Sequence, residues 1–367
     1  MKIRSKLTAL SSALLLASTF IGGNAMATLP QSATVIEIPA QRLEITQQWD
    51  KIFPKSDKVE HRKVTFQNRY GITLVGDLYV PKNAKGKLAA IAVSGPFGAV
   101  KEQSSGLYAQ TLAERGFITL AFDPSYTGES SGLPRNVASP DINTEDFSAA
   151  VDFLANLDDV DTNNIGILGI CGWGGMALNA AAADPRIKAT ATSTMYDMTR
   201  VMANGYNDSM SVEDRYKMRG QIAAERTQAA RNGHTTLGKP EAHLPPSEAL
   251  TTDTPKFVRE YSDFYKTKRG FHPRSVNSNS AWTTTNAYSF ANMPLLSYAQ
   301  EIKNPVLIVH GENAHSRYFS EDAFKKLQGD NKELYIVPNA THVDLYDNAA
   351  GKIPFDKFEQ FFKANLK

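Results

Sequence analysis

The chain has 367 residues, with 40 Lys and Arg against 38 Asp and Glu, 42% hydrophobic residues and one cysteine. Nearly balanced charge argues against a nucleic-acid partner or a basic membrane patch. A lone cysteine excludes a disulfide framework.

The first 27 residues read as a secretory signal peptide. Lys2, Arg4 and Lys6 form a basic start, residues 7–23 an apolar run, and Ala25-Met26-Ala27 a small-residue cleavage site. Thr8, Ser11, Ser12, Ser18 and Thr19 interrupt that run and no stop-transfer charges follow, which favours cleavage over a membrane anchor. Losing those three cations leaves 37 basic against 38 acidic residues. The expected product is periplasmic or secreted, without a membrane anchor, and long enough for one large core. In an oxidising compartment an unpaired cysteine is either accidental or a free thiol with a use. Nothing in the chain sets an oligomeric state.

Residues 28–49 are a mixed lead-in. Residues 59–66 and 72–80 alternate apolar and polar side chains around Asn68-Arg69-Tyr70-Gly71, the pattern of an antiparallel hairpin. Residues 88–93 and 117–122 are continuous apolar runs, as doubly buried parallel strands require. A helix is predicted between them over 103–115, ending at Gly116, and another over 144–157. A strand over 165–170 leads through Cys171 into a helix over 174–183, and a further strand follows over 187–194.

Alternation stops from 197 to 298, a polar and aromatic segment with a helix over 213–231 behind Ser211 as its cap. This reads as a cap inserted over the carboxyl edge of the sheet. A strand over 306–309, a helix over 320–327, a strand over 333–337 and a helix over 355–366 complete an α/β pattern. It predicts a mostly parallel sheet with helices on both faces.

Strand, sharp turn, helix, with a thiol at the turn and Gly169, Gly172, Gly174 and Gly175 around it, is the context of a nucleophile elbow. A buried structural cysteine is the other use of such a junction. At the start of a helix, the dipole and a neighbouring His are expected to lower the thiol's pKa. The N–H of Gly172 would face an oxyanion, and the loop Ser94-Gly95-Pro96-Phe97-Gly98 would supply the second donor. Pro96 has no N–H, so the donor is Phe97 or Gly98.

His342, on the loop after the last strand, is the candidate general base. The acid belongs on the loop His310-Gly311-Glu312-Asn313-Ala314-His315. Ala314 stands where many hydrolases carry Asp, so Glu312 is favoured and Asp197 is the alternative. His310, Glu312 and His315 match no helical metal-ligand spacing, and neither metal nor cofactor is expected.

GICGWGG, GPFGAVKEQ, FDPSYTGES, HGENAHSRYFSED and ATHVDLYD together resemble the α/β-hydrolase superfamily. More narrowly they resemble its dienelactone-hydrolase-like branch, in which cysteine replaces serine at the elbow. The resemblance, over about 59–366, implies the α/β-hydrolase fold with Cys171 as nucleophile, His342 as base and Glu312 by position only. Trp173 departs from the small residue usual two places after the nucleophile, and is expected to turn into the pocket as a wall. The implied activity is hydrolysis of a small ester, lactone or thioester, with Gly172 and Phe97 holding the oxyanion. The alternatives are a ligand-binding protein on the same scaffold, or a peptidase or acyltransferase of this fold.

Overall fold

The computed structural model describes residues 41–367; the expected signal peptide and the start of the lead-in lie outside the described residues. β1 (Val59–Gln67) and β2 (Thr73–Pro81) form the expected hairpin, Val59 opposite Pro81. Its turn is held by Asn68, whose Oδ1 accepts from the N–H groups of Tyr70 and Ile72, both at 3.0 Å.

The remaining strands are β3 (Leu88–Ser94), β4 (Ile118–Phe122), β5 (Val160–Ile170), β6 (Ile187–Ser193), β7 (Val306–Gly311) and β8 (Lys332–Val337). They form one sheet in the order β1-β2-β4-β3-β5-β6-β7-β8. The β1–β2 and β2–β4 pairings are antiparallel, and the others parallel. The mostly parallel sheet is what the sequence patterning predicts, and its topology is the α/β-hydrolase fold that the motif resemblance implies.

Successive strand residues serve opposite faces. In β3, Ala90 and Ala92 join one core layer and Ile91 and Val93 the other; in β7, Val306 and Ile308 face Leu307 and Val309 in the same way. One layer is covered by α2 (Pro140–Ala155), α3 (Gly172–Ala183) and, toward β7, Phe319 and Ala323. The other is covered by α1 (Ser104–Ala113) and by Phe358, Phe361 and Phe362 near the C-terminus. α2 starts earlier than its periodicity suggests, because Ser139 caps it and Pro140 opens its first turn.

Residues 194–305 run between β6 and β7. They include α4 (Met198–Asn204), α5 (Val212–Asn232) and α6 (Lys256–Lys266). α5 has the expected Ser211 cap, completed by Asp214 into a capping box, and buries only Ile222. α6 instead buries Ser262, Phe264 and Tyr265. α7 (Arg317–Lys326) and α8 (Phe355–Asn365) follow β7 and β8. No helix among the described residues is long and apolar enough to cross a membrane.

Candidate active site

Cys171 sits between β5 and α3 with φ 56° and ψ −125°, a strained conformation for a non-glycine residue. The surroundings hold it there. Its N–H donates to the Ser193 carbonyl at 2.9 Å, and its own carbonyl accepts from Gly174 at 2.9 Å and Tyr196 at 2.8 Å. The small neighbours are obligatory: a Cβ on Gly169 would lie 2.1 Å from the Trp173 carbonyl oxygen, and one on Gly172 would lie 2.8 Å from Cβ of Phe97.

The backbone N–H groups of Phe97 and Gly172 face the Cys171 sulfur, and the Tyr346 hydroxyl oxygen lies beside it. Of the loop's two candidates, Phe97 and Gly98, it is the Phe97 N–H that faces the sulfur. Side chains from 194–305 fix that loop. Asn277 Nδ2 donates to the Phe97 carbonyl at 2.7 Å, and Ser275 Oγ to the Gly98 carbonyl at 2.9 Å. Asp123 accepts from the Lys101 N–H at 2.8 Å at the loop's far end.

Burial raises the Cys171 thiol above its ordinary pKa, and hydrogen bonds from Tyr346, Phe97 and Gly172 offset this only in part. The expected lowering by the helix start is thus corrected. The sulfur is desolvated at 7% exposure, and desolvation of a charge outweighs a dipole's fraction of a charge.

His342 follows β8 and is fully buried rather than on a solvated loop. Its Nε2 lies 3.0 Å from the Tyr346 hydroxyl, so Tyr346 stands between the imidazole and the thiol. Its Nδ1 meets Ser316 Oγ at 2.5 Å and Thr194 Oγ1 at 2.9 Å. Ser316 Oγ also meets His310 Nε2 at 2.9 Å, and His310 Nδ1 meets Ser320 Oγ at 2.6 Å. Burial, then His315 and His310, hold His342 well below the usual imidazole range; burial first lowers His310 to about 3. Both rings are therefore neutral near pH 7.

The two proposed acids are elsewhere. Glu312 is exposed, and its Oε2 accepts from the Asn339 N–H at 2.8 Å. Asp197 caps α4, accepting from Thr199 Oγ1 at 2.6 Å and the Arg200 N–H at 2.9 Å. Assignment of Glu312 as the orienting acid is corrected: Ser316, four residues past Glu312, faces Nδ1 instead. The loop turns at Asn313, whose N–H bonds the Ala340 carbonyl at 2.8 Å, so side chains after that turn face the histidine.

Trp173 is corrected as well. It is 2% exposed and packs edge-on against Phe122 of β4 and Phe147 of α2, at ring separations of 6.0 and 5.6 Å. The first turn of α3 directs it beneath the sheet edge, away from the pocket.

A cavity of about 240 Å³ opens at Cys171, lined by Phe97, Tyr196, Met198, Val201, His243, Leu244, Tyr261, Tyr265, Asn277 and Tyr346. Most of these come from 194–305, so that segment shapes the pocket. Tyr346, Ser316, Thr194 and the cap tyrosines are absent from the sequence reading. Only Tyr346 had a usable signal there: it lies four residues past His342, one helical turn away.

Among the described residues, one set of carboxylates is close enough to share a metal ion: Glu102, Asp123 and Glu129. They converge instead on the Lys101 ammonium, at 2.8, 2.7 and 2.6 Å.

Residues 70–344 match the X-Pro dipeptidyl-peptidase (S15) family. The chain belongs to that family. This match supports the α/β-hydrolase superfamily that the motifs resemble, but not its dienelactone-hydrolase-like branch. The S15 chain is 60% identical to an uncharacterized Pseudomonas aeruginosa protein, PA2218, over 327 residues, covering 89% of this chain and 86% of that one. The crystal structure of PA2218 matches with a TM-score of 0.84 over 89% of this chain and 100% of that chain. An uncharacterized Escherichia coli protein, YcjY, is 34% identical over 299 residues, 79% of this chain and 94% of that one. A thiohydrolase of Eupenicillium brefeldianum is 35% identical over 135 residues, 37% of this chain and 43% of that enzyme.

Proposed function

We propose that this S15-family protein is an exported hydrolase that cleaves a small ester, lactone or thioester through a Cys171 acyl-enzyme. One observation carries the reading: the N–H groups of Phe97 and Gly172 converge on the sulfur of an elbow cysteine. A carbonyl attacked by that sulfur would develop its negative oxygen beside the same two donors. His342 is the base, available because it is neutral, and its proton later goes to the leaving group. Similarity to a thiohydrolase supports an acyl-transfer chemistry of this kind. The composition of residues 1–27 supports export, and the cap reading of 197–298 rests on its share of the pocket lining.

The family match raises a second reading, cleavage of an X-Pro peptide. A free peptide N-terminus entering this cavity would bury an ammonium, which needs a charged partner. The lining holds no carboxylate, only tyrosines, apolar side chains, His243 and Asn277 beside the thiol. That favours an uncharged acyl group.

The test is a panel of short aryl esters, lactones, acyl thioesters and an X-Pro anilide, with intact-mass detection of an acyl adduct. Wild type should turn over the ester-type substrates and carry the adduct, and Cys171→Ala should do neither. Turnover of the anilide alone, or unimpaired Cys171→Ala, would sink the reading.

A further inference from the structure

The Tyr346 hydroxyl is placed between two groups that an acyl-transfer site normally brings into direct contact. It lies beside the Cys171 thiol, with which it lines the cavity, on one side and, at 3.0 Å, meets His342 Nε2 on the other. The phenol ring is fully buried, wedged edge-on against Phe264 at 5.2 Å and His342 at 5.3 Å, so the hydroxyl is held in place. Donors and acceptors can be assigned along the whole line without conflict. His342 is neutral, so either Nδ1 or Nε2 carries its one proton. Ser316 and Thr194 at Nδ1 can accept that proton, which leaves Nε2 as acceptor for the Tyr346 O–H. Tyr346 oxygen then accepts from the thiol. On the far side, Ser316 donates to His310 Nε2, and His310 Nδ1–H donates to Ser320.

We infer that Tyr346 is a catalytic residue whose hydroxyl relays the proton between Cys171 and His342. The inference rests on the cysteine reading above. In acylation the S–H bond breaks as its proton joins the Tyr346 oxygen, and the Tyr346 proton moves to His342 Nε2. The electron pair left on sulfur attacks the carbonyl carbon, and the carbonyl π pair moves onto oxygen beside Phe97 and Gly172. Collapse of that intermediate expels the alkoxide or thiolate, and the same line runs backward to protonate it. A water molecule repeats the cycle on the acyl-cysteine and releases the acid. Tyr346 is a phenol before and after each pass. Its own ionisation is strongly disfavoured by burial, then by the nearby thiol, so the two proton movements belong to one concerted step.

Tyr346→Phe keeps the ring and removes only the oxygen. It should lower kcat/KM for the best substrate of the panel by about 10²–10⁴-fold, the range for a positioned proton-transfer group. Its melting temperature should stay close to wild type. A proton inventory in H2O–D2O mixtures gives a readout that packing alone would not move. Wild type should give a bowed plot, as two protons move together. Undiminished turnover in a folded Tyr346→Phe, with Cys171→Ala and His342→Ala inactive, would overturn the relay. So would a linear inventory in the wild type, a measurement that stands whether or not the variant folds. Turnover retained by Cys171→Ala would instead remove the cysteine reading, and the relay with it.

Discussion

Two buried polar networks share the loop after β3, and they differ in charge. Phe97 faces the first, made of a thiol, four hydroxyl-bearing side chains (Tyr346, Ser316, Thr194 and Ser320) and two neutral imidazoles. Lys101 and Glu102 belong to the second, made of full charges. Lys101 meets Glu102, Asp123 and Glu129; Lys63 meets Glu129 at 2.5 Å and Glu102 at 3.1 Å; Lys51 meets Asp77 at 2.8 Å. Arg274, from the 194–305 segment, meets Asp50 at 2.7 Å and Glu102 at 2.9 Å.

The contrast shows how a buried polar group is used. Burial opposes the Lys101 charge, yet Asp123, Glu102, Asp77 and Glu129 hold it protonated well above the usual range. Such pairs lock backbone segments together and do not exchange protons near neutral pH. Neutral hydroxyls and imidazoles can exchange protons, because no large field pins a proton to one atom. The loop is thus clamped at Lys101 and poised at Phe97.

The largest effect should come from breaking the charged network. Lys101→Met would leave Glu102, Asp123 and Glu129 facing one another in the interior. It should cost about 3–5 kcal/mol, the usual penalty for removing one partner of a buried ion pair, read by urea unfolding. A loss within the range of an ordinary surface substitution would show that the carboxylates simply take up protons or water.

Acid should separate the networks by pH. His310, His315 and His342 have folded pKa values below their unfolded ones, chiefly through burial, at about 3 for His310 and about 4 for His315. Their stability is present above about pH 6.5 and is lost as pH falls below it, at up to about 1.4 kcal/mol per pH unit for each ring. Glu102 and Glu129 are also depressed: burial raises them, but Lys101 and the other cations more than offset it. Their contribution is present above about pH 4.3 and lost below it. Asp123 runs the other way, since burial raises it despite Lys101, so it takes up its proton first. The urea midpoint should therefore fall in two stages between pH 7 and pH 3. A single transition near pH 4 would mean that the histidines are not buried and neutral.

The smallest effects sharpen the neutral side. Ser316→Ala would leave Nδ1 of His342 with Thr194 alone and Nε2 of His310 with only a long 3.5 Å contact to Thr194. Leaving such a group unsatisfied costs about 1–3 kcal/mol, which corresponds to about 5–150-fold in kcat/KM. Glu312→Gln, remote from the imidazole, should leave the rate within the error of the assay. If the two variants exchanged these outcomes, Glu312 would regain the orienting role.

These residues also mark where the sequence is legible. Cys171, its glycines, Phe97 and His342 could be read because strand periodicity and Gly/Pro chemistry locate the ends of strands, and an α/β sheet gathers those ends at one edge. Ser316, Thr194 and the cap tyrosines could not, since nothing local distinguishes a hydroxyl aimed at an imidazole from one in solvent. Trp173 was misread for a related reason. Its place in the chain says that it borders the elbow, but the direction of its side chain is decided by Phe122 and Phe147.

The sequence by itself determined the order of strands and helices along the chain, the strained turn at Cys171 and the long interval before β7. These follow from short-range rules, namely side-chain alternation, caps and backbone freedom. Tertiary structure alone decided that a tyrosine meets the histidine beside the thiol, that a serine and no carboxylate faces His342 Nδ1, and that Lys101 fills the acidic cluster. Each of those contacts joins residues from separate segments, and only the folded packing sets the distances and burial on which their charge states depend.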